Sequence, residues 1–173
     1  MINQHQLSIA QQIHSQNYNE RPNNEISLIV IHNISLPPGQ FNNGNIERFF
    51  TNQLDIKAHP YFESIKNLKV SAHLLIKRDG EIIQFVPFDK RAWHAGESHF
   101  NGRGNCNDFS IGIELEGSDN LAYEAVQYQA LQTTLKQLKA HYSIQHIVGH
   151  SDIAPGRKTD PGSAFDWSLI EDI

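Results

Sequence analysis

The segment SLIVIHN, residues 27–33, decides the fold that we predict for this chain. Residues 27–31 are short, rich in β-branched side chains and apolar on both faces, which is typical of a central strand buried between two layers. His32 would then lie at the exposed end of that strand. The following residues, LPPG from Leu36 and NNG from Asn42, contain too much Pro, Gly and Asn for regular structure. We therefore expect a surface loop next to the histidine.

Strand and helix patterns alternate along the rest of the chain. Ile46, Phe49 and Phe50 have helical spacing and indicate a short helix after the loop. Residues 70–85 contain two alternating apolar runs around an Asp-Gly pair, which predicts a hairpin of two antiparallel strands. Residues 91–108 are rich in Gly, Asn and His, so we expect a long loop that forms one wall of a cleft.

Strand and helix patterns also alternate in the C-terminal half of the chain. In SIGIELE, residues 110–116, the aliphatic side chains alternate with Gly112, Glu114 and Glu116, so both carboxylates should lie on the face opposite the aliphatics. Apolar residues at three- and four-residue spacing over 128–142 predict an amphipathic helix that covers the sheet. Residues 144–148 predict a strand that leads into a second histidine, and a short terminal helix is expected near Phe165.

Composition limits the class of protein. A chain of 173 residues that is 39% hydrophobic and 19% charged fits one compact α/β domain spanning residues 1–173. The net charge of -5 and the lack of a Lys/Arg block argue against a nucleic-acid partner. The chain shows neither a signal-peptide pattern nor an apolar run long enough for a bilayer, so we expect no membrane partner. A single cysteine, Cys106, fits a reducing compartment, and we expect a cytoplasmic protein.

Two histidines and a carboxylate indicate a metal site. His32 ends the first apolar run, and the segment HSDIAPGRKTDPG begins at His150 and contains Asp160. Two imidazoles and one carboxylate leave the fourth position of a zinc ion open, as in catalytic rather than structural sites. Taken alone, His32 could be an ordinary hydrogen-bonded histidine at a strand end. Asp160 could be a turn residue before Pro161, and from the residues alone Asp152 is equally plausible as a turn residue.

Two further charged positions have alternatives that periodicity does not separate. Lys158 lies two residues before Asp160, so in an extended segment its ammonium would project near the metal and could stabilise an oxyanion. An exposed loop lysine is the plain alternative, and Arg157 looks no different by composition. Glu114 could act as a general base toward a metal-activated water, but Glu116 lies on the same face of the predicted strand.

The combined motifs resemble a known family. They are HNISLPPG from His32, SAHLLIKRDGEIIQFVPFDKRAWHAG from Ser71, CNDFSIGIELEG from Cys106 and GHSDIAPGRKTDPG from Gly149. These runs resemble the cytosolic 1,6-anhydro-N-acetylmuramoyl-L-alanine amidases of the AmpD type, which are related to phage amidase-type lysozymes and peptidoglycan recognition proteins. The resemblance extends from about Tyr18 to Trp167. It implies a mixed central sheet flanked by helices, one zinc ion per chain, an anhydro-muropeptide substrate and a cytosolic enzyme, for which we favour a monomer.

The resemblance also assigns roles to residues. It implies His32, His150 and Asp160 as zinc ligands, and Glu114 and Lys158 as catalytic groups. The first Glu of IGIELEG is the catalytic one in the family pattern, which favours Glu114 over Glu116. In phage relatives a tyrosine precedes the histidine that matches His73 and assists catalysis. Here that position is Ala72, so the task should fall to Glu114.

Other positions are predicted to support the ligands or to contact the substrate. We expect His73 to be a hydrogen-bonded histidine that supports the site or packs beside it, rather than a ligand. Trp93 and His94 could form a platform for a sugar or peptide, although a core tryptophan is about equally plausible. The candidate substrate contacts are Asn33, Lys69, Trp93, His94 and Arg103. Lys69 and Arg103 could pair with acidic groups of a stem peptide, or could be ordinary surface charges. Asn105 and Gly104 stand where bulkier or basic residues are expected in relatives, which puts detailed peptide contacts in doubt.

The predicted reaction is hydrolysis of the amide between the lactyl carboxyl of anhydro-N-acetylmuramic acid and L-alanine. The resemblance implies a role in recycling cell-wall fragments, with an indirect influence on β-lactamase induction. Two alternatives stay open: an exported amidase acting on intact peptidoglycan, and a peptidoglycan-binding module of the same fold without activity. The absence of a signal segment argues against the first, and the presence of all five ligand and catalytic positions argues against the second.

Overall fold

A computed structural model describes residues 1–171 and 173. The strands are β1 Ile2–Asn3, β2 Gln6–Leu7, β3 Gln11–Gln12, β4 Tyr18–Glu20, β5 Leu28–Ile34, β6 Leu74–Ile76, β7 Ile82–Gln84, β8 Lys90–Ala92, β9 His99–Phe100, β10 Arg103–Gly104, β11 Ser110–Glu116 and β12 His146–Gly149. The helices are α1 Asn45–Phe50, α2 Pro60–Ile65, α3 Ala125–His141 and α4 His150–Ile153, with short 3-10 helices at Cys106–Asp108 and Trp167–Leu169.

Within the described residues, the central sheet has six strands in the order β12-β5-β11-β6-β7-β3. Strands β12, β5, β11 and β6 run parallel to one another, whereas β7 is antiparallel to β6 and β3 is parallel to β7. The sheet is therefore mixed, and the predicted α/β fold class is confirmed. The predicted hairpin is also confirmed, because β6 and β7 pair with Leu75 opposite Ile83.

The two faces of the sheet are covered by different helices. The long helix α3 packs Leu131, Leu135 and Leu138 against a cluster that contains the aliphatic residues of β11. On the other face, α1 and α2 contribute to a second cluster with residues of β6 and β7. Since side chains alternate along a strand, Glu114 and Glu116 lie on the face opposite α3, as predicted.

Several predicted elements differ in detail. His32 is not at an exposed strand end: β5 continues to Ile34, and the His32 side chain is 1% exposed. The predicted long loop at 91–108 contains the small hairpin β9–β10 and a 3-10 turn. The predicted terminal helix is a single 3-10 turn at Trp167–Leu169. Among the described residues, no helix combines the length and the apolar character that crossing a bilayer requires.

Candidate active site

The two central strands place His32 and Glu114 side by side. Strands β5 and β11 are parallel, and their register puts Glu114 directly opposite His32. Both residues lie on central strands of the sheet: Glu114 is paired with His32 on one side and Leu75 on the other, and His32 directly follows Ile31, the last residue of β5 that β12 pairs. Backbone hydrogen bonds between strands, rather than loop contacts, therefore fix the positions from which these two side chains project.

The chain after β12 brings the other two predicted ligands to the same place. His150 is the first residue of α4 and follows Gly149 at the end of β12. The backbone amide of Ser151 donates a hydrogen bond of 3.0 Å to the carbonyl of Asp160, which turns the loop back toward His150. The carboxylate of Asp152 instead accepts a hydrogen bond of 2.7 Å from the amide of Gly149. The fold thus places Asp160, and not Asp152, beside the imidazoles.

Three donor atoms converge at this point. Nδ1 of His32 lies 2.9 Å from Nδ1 of His150 and 3.1 Å from Oδ2 of Asp160, and the last two atoms are 3.0 Å apart. Ligand atoms around a tetrahedral zinc ion lie roughly 3.3 Å apart when the bonds are about 2.0 Å long. The triangle therefore needs only slight widening, and the cluster could hold a metal ion.

The protonation of the cluster also fits a cation. Burial lowers the pKa of His32 to about 4, although the hydrogen bond with Asp160 opposes this shift. Burial alone would raise the pKa of Asp160, but hydrogen bonds with His150 and His32 outweigh it and hold that pKa below its ordinary range. A bound metal would replace these hydrogen bonds: Nε2 of His150 lies 3.0 Å from the carbonyl of Ala95, and a ring that donates its single proton there presents an unprotonated Nδ1. Neutral imidazoles and an ionised carboxylate are what a metal requires.

Glu114 is a buried carboxyl group without a compensating partner. Its side chain is 8% exposed, and Oε2 has no hydrogen-bond partner. Burial raises the pKa of Glu114 well above its ordinary value; the negative charge of Asp160 adds to this shift, and Lys158 opposes it. An orphaned carboxyl group at the edge of a candidate metal site is poised to accept a proton.

Glu116 has a different environment although it lies on the same face of β11. Its Oε1 accepts a hydrogen bond of 2.7 Å from the amide of Asn42, and its Oε2 accepts one of 3.1 Å from the amide of Arg78. Both oxygens are therefore used to hold neighbouring loops. The hydrogen bonds therefore distinguish Glu116 from Glu114, which the alternation of the sequence alone could not.

A cleft of about 360 Å³ opens over the cluster and includes Glu114 and Lys158 in its walls. Its far side is apolar and is formed mainly by α1, α2 and the loops beside them. The apolar lining residues are Leu36, Pro38, Phe49, Phe50, Ile65 and Leu68. Arg157, which composition could not distinguish from Lys158, instead uses its guanidinium on the carbonyl of Ala95 at 2.7 Å. A polar centre beside an apolar wall suits an amphipathic ligand.

Comparison with known proteins identifies the family. Residues 22–163 match the N-acetylmuramoyl-L-alanine amidase family. The chain belongs to this family. It is 54% identical over 171 residues to 1,6-anhydro-N-acetylmuramyl-L-alanine amidase AmpD of Escherichia coli strain K12, which covers 97% of this chain and 93% of the relative.

Solved structures of relatives agree with the fold of this amidase chain. A crystal structure of a selenomethionine derivative of AmpD matches with a TM-score of 0.97 and 52% identity, covering 99% of this chain and 98% of that chain. The structure of Escherichia coli AmiD in complex with anhydro-N-acetylmuramic acid-L-Ala-D-γ-Glu-L-Lys matches with a TM-score of 0.61 and 30% identity, covering 92% of this chain and 60% of that chain. The predicted resemblance is thereby confirmed.

The predicted substrate contacts of this amidase chain fall into two groups. Asn33 and His94 line the cleft, whereas Lys69, Trp93 and Arg103 are not among the residues that form it. Lys69 lines a smaller neighbouring cavity. Trp93 lies outside the cleft and is only partly buried, and its indole N–H donates to the side-chain oxygen of Asn19 at 2.8 Å. The guanidinium of Arg103 forms an exposed ion pair with Glu25.

The roles expected of His94 and His73 differ from their positions in the structure. His94 is 9% exposed, and its Nδ1 lies 2.9 Å from Nε2 of His32. His73 is fully buried, but it bonds backbone groups of Gly112 and Lys90 rather than a predicted ligand. The structure therefore brings His94, and not His73, within hydrogen-bond distance of a predicted ligand, whereas the sequence suggested a possible substrate platform for His94.

Sequence analysis missed Asp119. Its carboxylate accepts a hydrogen bond of 2.8 Å from the side-chain nitrogen Nδ2 of Asn33 and another from the hydroxyl of Thr159. It thus connects the strand that carries His32 to the loop that carries Lys158 and Asp160. The pattern GSDN at residues 117–120 resembles an ordinary turn, and no sequence signal separates this Asp from a solvated one.

Proposed function

We propose that this protein is a zinc-dependent amidase that hydrolyses the bond between 1,6-anhydro-N-acetylmuramic acid and L-alanine in muropeptides. The observation that carries the proposal is the convergence of His32, His150 and Asp160 next to the orphaned carboxyl group of Glu114. Membership of the amidase family and the high identity to AmpD support the same reaction.

The proposed metal would be held by Nδ1 of His32, Nδ1 of His150 and a carboxylate oxygen of Asp160. A zinc ion bound there would supply Lewis-acid chemistry, polarising the scissile carbonyl and lowering the pKa of water to about 7. The donor set fits zinc, since two imidazoles and one carboxylate are the ligands of known catalytic zinc sites.

Glu114 would act as the proton carrier. In its ionised form it would take a proton from the attacking water, and it would then return that proton to the nitrogen of the departing L-alanine. The low exposure of Glu114 and the absence of a competing hydrogen bond at Oε2 keep this carboxylate basic. Its position opposite His32 supports this role, since a carbonyl bound at the proposed metal would lie beside it.

Lys158 would stabilise the charge that develops on the carbonyl oxygen. Its side chain forms part of the cleft wall, and it is close enough to Glu114 to lower the pKa of that carboxyl group. An ammonium in this position favours negative charge in the transition state. The apolar wall formed by α1 and α2 would hold the substrate and exclude water from the reacting bond.

The proposed substrate is an anhydro-muropeptide and not intact peptidoglycan. AmpD relatives are named for the 1,6-anhydro substrate, and the AmiD complex contains a substrate with the same anhydro sugar. We propose that the reaction takes place in the cytoplasm during recycling of cell-wall fragments. The level of those fragments would link the enzyme to β-lactamase induction.

Product analysis by mass spectrometry tests this proposal. Zinc-loaded protein would be incubated separately with anhydro-muropeptides, reducing muropeptides and intact sacculi. We expect release of free stem peptide mainly from the anhydro substrate. Efficient release from sacculi would instead favour a lytic amidase, and binding of all three substrates without cleavage would favour a recognition module.

A metal-exchange control makes the test specific for the proposed cofactor. Removal of the metal by a chelator should stop peptide release, and stoichiometric zinc should restore it. Asp160→Ala would serve as the variant control, since it removes one proposed ligand. If chelated protein remained fully active, the zinc-dependent mechanism would be wrong even if the substrate preference were correct.

A further inference from the structure

His94 lies between a proposed metal ligand and a buried serine. Nδ1 of His94 is 2.9 Å from Nε2 of His32, and its Nε2 is 3.1 Å from Oγ of Ser110. The backbone amides of His94 and Ala95 both donate to Oδ1 of Asn107, at 3.2 and 2.8 Å. Both ends of the imidazole are therefore engaged, and the backbone that carries it is anchored separately.

Gly112 provides the space that this imidazole occupies. A Cβ atom at Gly112 would lie 2.4 Å from Cγ of His94 and 2.6 Å from its Nδ1, which no real structure tolerates. Gly112 does not have the positive φ angle that usually explains a glycine. Gly112 is therefore explained by the close approach of the His94 ring to strand β11.

Once His32 binds a metal through Nδ1, the hydrogen bonds determine which nitrogen of each ring carries the proton. Nδ1 of His32 faces the other ligands, so it must be free of a proton to bind a metal. The proton of neutral His32 is then on Nε2 and can be donated only to Nδ1 of His94. His94 consequently carries its own proton on Nε2 and donates it to Ser110.

His73 is a second buried histidine beside His94, but it does not make a hydrogen bond with His32. Its Nδ1 accepts the amide proton of Gly112 at 3.0 Å, and its Nε2 donates to the carbonyl of Lys90 at 3.0 Å. Both nitrogens of His73 therefore bond the backbone. Its ring lies 5.8 Å from that of His94, measured between centroids, and it packs beside the pair without bonding His32.

We propose that His94 is a positioning residue that holds His32 in the tautomer and ring orientation required for metal binding. Ser110 fixes the His94 ring by a hydrogen bond, and Gly112 leaves the space that the ring occupies. This inference rests on the proposed metal site. Hydrogen-bond partners of ligating histidines are known to fix the ring and raise the basicity of the ligand nitrogen. His94 acts through His32 and needs no contact with the substrate.

Zinc affinity of the full chain, measured by competition with a chromogenic chelator, tests the proposal. His94→Phe keeps a ring in the slot but removes the acceptor, so we expect zinc affinity to fall by about 10- to 100-fold. His94→Gln has a carbonyl oxygen that can accept the same hydrogen bond, and it should recover part of the loss. His73→Phe is the matched control, because it removes an equally buried imidazole and should leave zinc affinity unchanged.

Thermal unfolding of the zinc-free proteins separates positioning from folding. A purely structural role would lower the unfolding midpoint of His94→Phe and His73→Phe alike, with no selective loss of zinc affinity. Should His94→Phe fail to fold, Ser110→Ala removes the anchor with less disruption and should weaken zinc binding in the same direction. Unchanged affinity in folded His94→Phe or in Ser110→Ala would overturn the proposal. Failure of the wild type to bind zinc would instead overturn the proposed metal site itself.

Discussion

The proposed site joins two regions that are held in different ways. His32 and Glu114 lie opposite each other on two paired central strands, whose backbone hydrogen bonds fix the chain. His150, Lys158 and Asp160 lie in and after the short helix α4, and this segment is held by a few specific side-chain contacts. Substitutions in the strand region should therefore change chemistry without moving the backbone. Substitutions around the loop should move the groups that it carries.

The contacts of the loop are few and can be named. Asp119 bonds both Asn33 and Thr159, and the hydroxyl of Tyr123 donates to the carbonyl of Pro161 at 2.7 Å. Gly162 has a φ angle of +81°, and a Cβ atom there would lie 2.2 Å from Cα of Asp119. The loop and the 117–123 segment thus pack at backbone distance; Asp119 is one point of attachment, and the side chain of Asn33 provides another by donating to the carbonyl of Pro161 at 3.1 Å.

The largest effect on activity is expected for Glu114→Gln in the strand region. The amide keeps the shape of the side chain but cannot take a proton from water, so the rate should fall by about 10²- to 10⁴-fold. Zinc affinity should persist, because Glu114 is not in the ligand triangle. Peptide release under single-turnover conditions, together with chelator competition, measures both quantities. Retained activity would remove Glu114 from the proposed mechanism.

The same substitution should stabilise the zinc-free protein. Burial raises the pKa of Glu114 in the folded state, so its ionised form destabilises the fold at neutral pH. The stability advantage of Glu114→Gln should be largest above the raised pKa. It should shrink as the pH falls and disappear below the unfolded value of about 4.3, where both states are protonated. Urea unfolding at several pH values measures this, and an advantage that grew on acidification would contradict it.

Lys158 provides the next largest effect and tests the loop region directly. Lys158→Met keeps most of the aliphatic chain and removes the ammonium, so we expect a rate loss of about 10²- to 10³-fold. Zinc binding should be nearly unchanged. Lys136→Met, at an exposed position on α3 across the sheet, is the matched control. Equal activities of the two variants would show that Lys158 is only a solvated loop lysine.

The strands show how much of this site a sequence can predict. The run at residues 28–31 and the alternation at 110–116 are long and regular enough to fix two neighbouring strands and the face of Glu114. The choice between Glu114 and Glu116 depends on which carboxylate meets backbone amides of distant loops. Periodicity carries no information about such contacts, so the family resemblance had to supply the choice.

The loop and the histidines show where prediction from the sequence fails. His73 and His94 are each flanked by apolar residues on both sides, so the sequence does not distinguish them. Only the tertiary fold decides which of them contacts His32. The short helix α2 and the two-residue strands near the N-terminus have too few residues to produce a recognisable period. Asp119 looks like any turn residue until the loop that it holds is in place.

Asp119→Ala is expected to have a smaller effect than the catalytic substitutions, and it would act through the loop. It removes hydrogen bonds to a carboxylate, which should lower the free energy of unfolding by about 1.5–3 kcal/mol. Zinc affinity should fall as well, because the loop that carries Asp160 loses one of its attachments. Thr159→Val removes only one of these bonds and should show a fraction of both effects. Chemical denaturation and chelator competition provide the measurements. An Asp119→Ala variant with normal zinc affinity would show that the loop holds its own shape.

The smallest effect is expected for Arg103→Ala, which tests a predicted substrate contact that lies outside the cleft. Arg103 and Glu25 form an exposed ion pair, and such pairs contribute little to stability because solvent screens them. If the substrate is bound only by the cleft, KM and kcat should both stay at wild-type values. Glu25→Gln is the matched control, since it breaks the same ion pair and leaves the guanidinium available. A raised KM in Arg103→Ala but not in Glu25→Gln would mean that the stem peptide extends past the cleft to Arg103, and the sequence prediction for this residue would then hold.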